Sequence, residues 1–171
     1  MKTYLKSIVK LSALSALVIA PVFLLAGAAS AQPTGTNASY LGAGLSVGVT
    51  EDAKFGGNIQ GRLAIPNTPV SARGAILFSD KTSAIMPIVS YDVPITNNAN
   101  AYLGAGYSFV EARGQSTPLG NKNAVVLTTG VEAELRRNIV LYGDAKVGIN
   151  AFENNSGSAV SFQAGAGYRF N

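Results

Sequence analysis

The sequence predicts an all-β fold: an eight-stranded antiparallel up-and-down transmembrane β-barrel preceded by a cleavable signal peptide. Three observations lead to it: an export signal at the N-terminus, eight segments in which apolar residues alternate with small or polar ones, and a composition poor in charge. Of the 171 residues, 47% are apolar and only 13% are charged. Such a chain is too apolar for disorder and has few charges for a surface that faces water.

The missing residue types exclude several classes of site. The chain contains no Cys and no His. Without Cys there can be no disulfide scaffold, Cys-ligated zinc site or thiol nucleophile, and without His the usual general base and the commonest metal ligand are absent. We therefore expect a protein that is not an enzyme, with no catalytic residues, no metal and no cofactor.

The first 31 residues have the three parts of a secretory signal peptide. A start with three lysines is followed by the uncharged apolar run 11–26, and an A-x-A sequence ends at Ala31, so cleavage is predicted between Ala31 and Gln32. The alternative is a retained membrane anchor, which is disfavoured because the run is short for a bilayer span and contains Pro21. The predicted organisation is a signal peptide at 1–31, a short periplasmic lead at 32–38 and a barrel domain at 39–171.

Removal of the signal peptide leaves ten positive charges against nine negative ones. The basic character of the whole chain therefore comes largely from its first residues. A nucleic-acid surface needs clustered Lys and Arg, and the only adjacent pair that remains is Arg136-Arg137. No nucleic-acid partner is expected.

The remaining chain divides into segments with a period of two, which is typical of β-strands. In the last of them Phe162, Ala164 and Ala166 alternate with polar or small residues, so that one face is apolar and the other is not. None of the segments shows sustained helical spacing. The eight predicted strands are 39–49, 55–65, 70–79, 83–93, 100–110, 123–135, 138–149 and 158–170.

The size of the side chains indicates which face points outward. The less apolar face consists largely of Gly, Ser, Ala and Asn, which suits a narrow interior better than a solvated exterior. The segment lengths, roughly ten to thirteen residues, suit strands tilted across a bilayer. A secreted soluble barrel that binds a small apolar ligand would have the same alternation, but with its apolar side chains in the lumen and its polar ones in water. This fold remains an alternative.

Connection lengths predict the orientation of the barrel. With both termini in the periplasm, the connections at 66–69, 94–99 and 136–137 are inner turns, and the longest connection, 111–122, is an outer loop. Short inner turns and longer outer loops are typical of outer-membrane barrels.

Aromatic residues should gather at the two membrane interfaces. Phe and Tyr residues near the strand ends lie on the predicted lipid face, whereas Tyr40, Tyr102 and Tyr142 have the opposite parity. These three either line the inner mouth of the barrel or indicate a register that is wrong by one residue.

The C-terminal sequence, Gly165-Ala166-Gly167-Tyr168-Arg169-Phe170, resembles the last strand of bacterial outer-membrane barrels. Those strands typically end in an aromatic-x-Phe motif that the assembly machinery recognises, and Tyr168 and Phe170 match it. An additional Asn171 follows the motif here. The repeats YLGAGL at 40–45 and YLGAGY at 102–107 are similar to the Gly-rich strands of the small β-barrel superfamily that includes opacity-type proteins and the barrel domain of outer-membrane protein A. The resemblance implies export through the periplasm, location in the outer membrane, and contact with its lipid and with the barrel-assembly machinery.

Projecting the alternation inward places four positive and four negative side chains in the lumen, mostly in the half nearer the periplasm. An eight-stranded barrel is only about wide enough for side chains to fill, so we expect these groups to interlock as a polar plug. The outer half is expected to be a small wet vestibule, lined by residues such as Ser46, Gly48, Gly56, Asn58, Ser108 and Gly148. The charged set comprises Arg62, Arg73, Asp92, Glu132, Glu134, Asp144, Lys146 and Arg169.

These patterns favour a non-enzymatic outer-membrane barrel with a role in envelope integrity or in surface interactions, whose lumen is closed by the charge network. A surface ligand is possible but not identified by any motif. The alternative from the same residues is a narrow pore for ions or small solutes, in which the charges act as a filter or gate.

Overall fold

The computed structural model describes residues 33–50, 53–135 and 138–170, and these belong to one compact unit. The cleavage site at Ala31 and Gln32, the turn residues 136–137 and the final Asn171 lie outside the described residues. Among those described, no helix is long and apolar enough to cross a membrane. The strands are β1 (Tyr40–Gly48), β2 (Lys54–Ala64), β3 (Val70–Phe78), β4 (Ser83–Thr96), β5 (Ala99–Val110), β6 (Ala124–Glu134), β7 (Ile139–Ile149) and β8 (Ala159–Arg169).

The eight strands form a closed barrel in sequence order. Each strand pairs antiparallel with the next, and β1 also pairs antiparallel with β8, which closes the sheet. Closure gives every strand two neighbours, so that no sheet edge is left for the membrane or for another chain. The predicted all-β, eight-stranded up-and-down barrel is confirmed.

The side chains alternate between the outer surface and the lumen along every strand. Large apolar residues point outward: Leu45 is 77% exposed and Phe55 78% exposed. Such a surface is costly in water and suits hydrocarbon, whereas a soluble barrel would carry the opposite arrangement; the soluble alternative is therefore not supported. Tyr40, Tyr102 and Tyr142 are buried, so these residues point into the barrel and the register inferred from the sequence is correct.

One turn differs from the sequence-based prediction. The predicted turn at 94–99 is shorter, because β4 continues to Thr96 and β5 begins at Ala99. Pro94 lies inside β4 at a shift in the β4–β5 register between Pro94 and Thr96. A proline lacks the N–H that a regular ladder requires, and irregular positions of this kind accommodate it.

The two ends of the barrel differ. The turn end carries the short connections 65–69, 97–98 and 135–138, together with the start of β1 and the end of β8. Asn67 and Asn138, which have positive φ, lie at this end. The loop end carries two connections of similar length, 49–53 and 79–82, and the two longest ones, 111–123 and 150–158. This is the asymmetry that the sequence predicted, with short turns at one end and the longest loop at the other.

The interior also differs between the two ends. Buried charged residues occupy the part of the lumen toward the turn end, where a smaller apolar cluster includes Tyr40 and Tyr142. An apolar core fills the part toward the loop end, formed by Ala75, Leu77, Met86, Ile88, Leu119, Ala124, Val126, Ala151, Phe152 and Ala159.

Candidate functional site: the charged lumen and its two ends

All eight charged residues that the sequence assigned to the lumen lie in it or at its rim. Six of them are buried: Arg62, Arg73, Asp92, Glu132, Asp144 and Lys146. The other two, Glu134 and Arg169, form a partly exposed ion pair at the turn end, with 2.5 Å between Arg169 Nη1 and Glu134 Oε1.

Four of the buried residues form a closed ring of ion pairs. Arg62 reaches Asp92 at 2.7 Å and Glu132 at 3.1 Å. Arg73 reaches the same two carboxylates, at 3.0 Å and 2.9 Å. Each guanidinium therefore contacts both carboxylates, which compensates the two positive charges that the β2–β3 register places side by side. The ring links β2, β3 and β4 to β6 across the lumen.

Two serines also bond to members of this ring. Arg62 Nε donates to Ser71 Oγ at 3.0 Å, and Ser71 donates to Asp92 Oδ2. In the same way Arg73 Nε donates to Ser90 Oγ at 2.8 Å, and Ser90 donates to Asp92 Oδ1 at 3.0 Å. Asp92 therefore accepts hydrogen bonds from both arginines and both serines, which is what a buried carboxylate needs to remain charged.

A second ion pair joins the ring through the side chain of Tyr102. Lys146 Nζ lies 2.6 Å from Asp144 Oδ1, and Tyr102 donates to Asp144 Oδ2 at 2.8 Å. The Arg73 guanidinium lies 3.6 Å from the centroid of the Tyr102 ring, a cation–π contact. Tyr40 donates to Glu132 Oε2 at 3.1 Å. The network thus extends around the lumen to β7.

The N-terminal lead, predicted as a short periplasmic segment, folds into the turn end. The Asn100 side chain accepts from the Thr36 N–H at 3.1 Å and donates to the Thr36 carbonyl at 2.8 Å. Arg62 Nη1 donates to the carbonyls of Thr36 and Ala38, at 3.1 and 3.0 Å. Since Gly35 has a φ of +70°, the chain turns there in a conformation that glycine adopts easily. The lead is therefore part of the charge network.

A loop tip fills much of the region in which the sequence predicted a wet vestibule, and that expectation is wrong to this extent. The tip, Thr117–Gly120, is buried. A Cβ atom at Gly48 would lie 2.3 Å from the Pro118 oxygen, and one at Gly148 would lie 3.4 Å from Leu119 Cγ. The glycines that suggested open space instead provide room for the tip. A cleft of about 100 Å³ remains beside it, bordered by Thr50, Lys54 and Phe152 among others.

The remaining predicted vestibule residues are mostly engaged in the wall. Asn58 donates to the Leu45 carbonyl at 2.8 Å and accepts from the Tyr142 hydroxyl at 2.6 Å. Within the described residues, three buried polar atoms lack a hydrogen-bond partner: Ser108 Oγ, Thr128 Oγ1 and Gln163 Oε1. No group of three or more Asp or Glu side chains in the described part of the chain could hold a metal ion.

Sequence reasoning missed the neutral members of the network. Ser71, Ser90 and Asn100 have inward parity, but nothing in their type distinguishes them from other small polar residues. The inverted parity of Tyr40 and Tyr102 was the available signal, because a tyrosine that faces a crowded lumen needs a partner for its hydroxyl.

The proposed assembly signal lies at the end of β8. Tyr168 and Phe170 are 59% and 58% exposed and have the outward parity of the apolar face. Both are therefore available to the membrane interface at the turn end.

No protein-family model and no curated protein sequence matches this chain. Solved structures do. The Neisserial surface protein A has a TM-score of 0.57 and 16% identity, and the match covers 77% of this chain and 97% of that one. Ail, the attachment invasion locus protein of Yersinia pestis, has a TM-score of 0.51 and 15% identity, covering 78% of this chain and 99% of the other.

The N-terminal β-barrel domain of Pseudomonas aeruginosa OprF has a TM-score of 0.52 and 11% identity, covering 79% of this chain and all (100%) of that domain. A designed transmembrane β-barrel matches similarly, with a TM-score of 0.57 and 10% identity, covering 79% of this chain and 98% of the design. At these identities the likeness concerns the fold. The chain has the fold of the small eight-stranded barrels that span bacterial outer membranes.

Proposed function

We propose that this protein is a non-enzymatic barrel of the bacterial outer membrane that acts in envelope integrity or surface interactions, and that its lumen is closed. The observation that carries the proposal is the ring of Arg62, Arg73, Asp92 and Glu132. An ion that passed through the lumen would have to separate charges that are buried and paired on all sides, and breaking such pairs is costly.

Both ends of the barrel support a closed lumen. At the turn end, the carbonyls of Thr36 and Ala38 occupy donors of Arg62, so the lead lies over the ring. At the loop end, Leu119 belongs to the apolar core. Hydrated ions are poorly accommodated in apolar constrictions. The two ends thus oppose conduction by different physical means.

The outward face supports the location. A continuous apolar surface requires lipid, and a closed sheet satisfies backbone hydrogen bonds without water. Export by the predicted signal peptide, with cleavage between Ala31 and Gln32, and recognition of Tyr168 and Phe170 by the barrel-assembly machinery are parts of the proposal. Two proteins with a similar fold are described as a surface protein and an attachment invasion locus protein, which accords with a role at the surface.

Planar bilayer recording tests the closed lumen. The purified barrel should produce no discrete, reproducible conductance steps under conditions in which a known porin does. Regular steps whose size changes in a Glu132→Gln variant would instead establish the narrow pore and refute closure by the charge network.

Surface proteolysis tests the location and orientation. Arg113 is exposed in the loop 111–123, so trypsin added to intact cells should cut there. Fractionation should recover the protein with the outer membrane. Recovery as a soluble protein, or cleavage at Arg113 only after the envelope is broken, would contradict the proposed placement.

A further inference from the structure

The loop-end half of the lumen is filled by a loop tip together with side chains of the wall. Gly48 and Gly56 face Pro118, and added Cβ atoms there would lie 2.3 and 3.0 Å from the nearest Pro118 atoms. Gly148 faces Leu119, and its added Cβ would lie 3.4 Å from the nearest Leu119 atom. A barrel that needed only a packed interior could use larger wall side chains here, as it does at Leu77 and Met86. The wall instead leaves a hollow that the tip Thr117–Gly120 occupies.

The tip makes its hydrogen bonds within itself. Thr117 and Gly120 exchange two backbone hydrogen bonds, at 2.8 and 3.2 Å. The Thr117 hydroxyl donates to the Gly120 carbonyl and accepts from the Leu119 N–H. Among the described residues, the tip's contacts with the wall are therefore van der Waals contacts, and the tip can leave the lumen as a unit without breaking a hydrogen bond to them.

The segments on each side of the tip are tied to the loop end. The Ser79 hydroxyl donates to the Ser116 carbonyl at 2.9 Å, and the N–H groups of Asn121 and Lys122 donate to the Ala151 carbonyl at 3.0 and 3.1 Å. These anchors hold the base of the loop, and Gly120, with a φ of +101°, lies next to one of them. The tip can thus swing about a fixed base.

Two hydroxyls at the border of the apolar core have no partner. Ser108 is 1% exposed and Thr128 2% exposed, and neither hydroxyl forms a hydrogen bond. Ser108 lies opposite Ala124 in the β5–β6 register, and Thr128 lies two residues after Val126 on the inward face of β6. Both therefore adjoin members of the apolar core. Unpartnered buried hydroxyls are uncommon, and a ligand in the hollow could bond to them.

We propose that this hollow is a binding site for a small, mainly apolar solute that carries one hydrogen-bonding group, and that the tip Thr117–Gly120 occupies the site when the solute is absent. The apolar core receives the body of the solute, and Ser108 or Thr128 pairs with its polar group. The cleft beside the tip, bordered by Thr50, Lys54 and Phe152, is the entrance. The site does not depend on conduction, so it can be tested separately from the closed lumen.

Thiol labelling tests whether the tip is buried in the lumen. The chain has no Cys, so Leu119→Cys introduces a unique thiol, and Asn154→Cys in the exposed part of the loop 150–158 is the matched control. With the barrel in phospholipid nanodiscs, a charged maleimide should label position 119 at least about tenfold more slowly than position 154, because labelling requires local opening. Equal labelling rates at the two positions would show that the tip does not occupy the lumen and would overturn the proposal.

Indole is the probe for the solute, since it is small, largely apolar and carries one N–H donor. Indole should accelerate labelling at position 119 in a saturable manner and leave the rate at position 154 unchanged. Acceleration at both positions, or at neither, would overturn the proposal.

The hydroxyls are tested in the Leu119→Cys background with Ser108→Ala and Thr128→Val, which remove the hydroxyls and keep the size of the side chains similar. The indole concentration for half-maximal acceleration should rise about three- to tenfold for the variant that loses the pairing hydroxyl. An unchanged concentration in both variants would refute the assigned site. Heat-modifiable gel migration of each variant verifies that the barrel is folded.

Discussion

Replacing Glu132 by Gln should destabilise the barrel strongly. The Glu132 side chain is fully buried, and its carboxylate contacts Arg62 at 3.1 Å and Arg73 at 2.9 Å. Glutamine has nearly the same size, so packing is preserved while the negative charge is lost. The variant retains two buried guanidinium groups with Asp92 as the one remaining carboxylate of the ring.

The magnitude follows from the contacts that are lost. Two of the four ion contacts in the ring disappear, and one positive charge is left buried without compensation. Removing one partner of a buried ion pair typically costs about 3–5 kcal/mol. Because the Tyr40 hydroxyl also donates to this carboxylate at 3.1 Å, we expect a loss in the free energy of unfolding within that range.

Urea unfolding in lipid vesicles, followed by heat-modifiable gel migration, measures this loss. Lys81→Met, at an exposed position of the loop end, serves as the control and should leave the unfolding midpoint unchanged. The Arg73→Met/Glu132→Gln double variant keeps Arg62 paired with Asp92. Its loss in the free energy of unfolding should be smaller than the sum of the two single-variant losses by about 0.5–3 kcal/mol, the coupling expected for residues in direct contact.

Two results would refute this reasoning. If Glu132→Gln unfolds at the same urea concentration as Lys81→Met, the ring does not stabilise the barrel. If the loss of unfolding free energy in the double variant equals the sum of the two single-variant losses, Arg73 and Glu132 do not interact energetically. The short distance between them would then have no bearing on stability.

Three further predictions concern the wall and the lead. Gly44→Ala should prevent closure of the barrel, because the added Cβ would lie 2.1 Å from a backbone oxygen of β8. Gly74→Ala should fold normally, because its Cβ would meet no atom within 4 Å. The yield of the heat-modifiable form distinguishes the two variants, and equal yields would be evidence against the β1–β8 contact. Leu45→Arg should cost about 2–4 kcal/mol in urea unfolding, as for a charge near the bilayer midplane, and no cost would mean that this face does not contact lipid. Asn100→Ala should release the lead and accelerate hydrogen exchange of the Thr36 amide by about tenfold or more, measured by NMR; unchanged exchange would show that the lead is held by other contacts.

The direction of the side chains could be predicted from the sequence, because successive side chains of a strand point to opposite faces of the sheet. The alternation of Phe162, Ala164 and Ala166 with polar residues was sufficient to place the apolar row outside. It also brought Arg62 and Glu132 into the lumen, although strand parity alone does not show which cation contacts which anion.

The contents of the two ends could not be predicted in this way. The lead around Thr36 and the tip around Leu119 are not strands, so periodicity says nothing about where they lie. Glycines such as Gly48 suggest an open vestibule, but a missing side chain is equally compatible with another segment that fills the space. The residue pattern predicts a turn at Pro94, because an irregularity in a ladder is not visible in such a pattern.

The central claim is that the apolar row faces hydrocarbon, and a single tryptophan tests it most directly. The chain contains no Trp, so Leu103→Trp on the outward face of β5 and Ser116→Trp in the loop 111–123 each provide one fluorophore. In vesicles that contain brominated lipid, the account predicts strong quenching at position 103 and little at position 116, with the reverse order for aqueous acrylamide. Quenching of position 103 by acrylamide, without quenching by brominated lipid, would contradict the account.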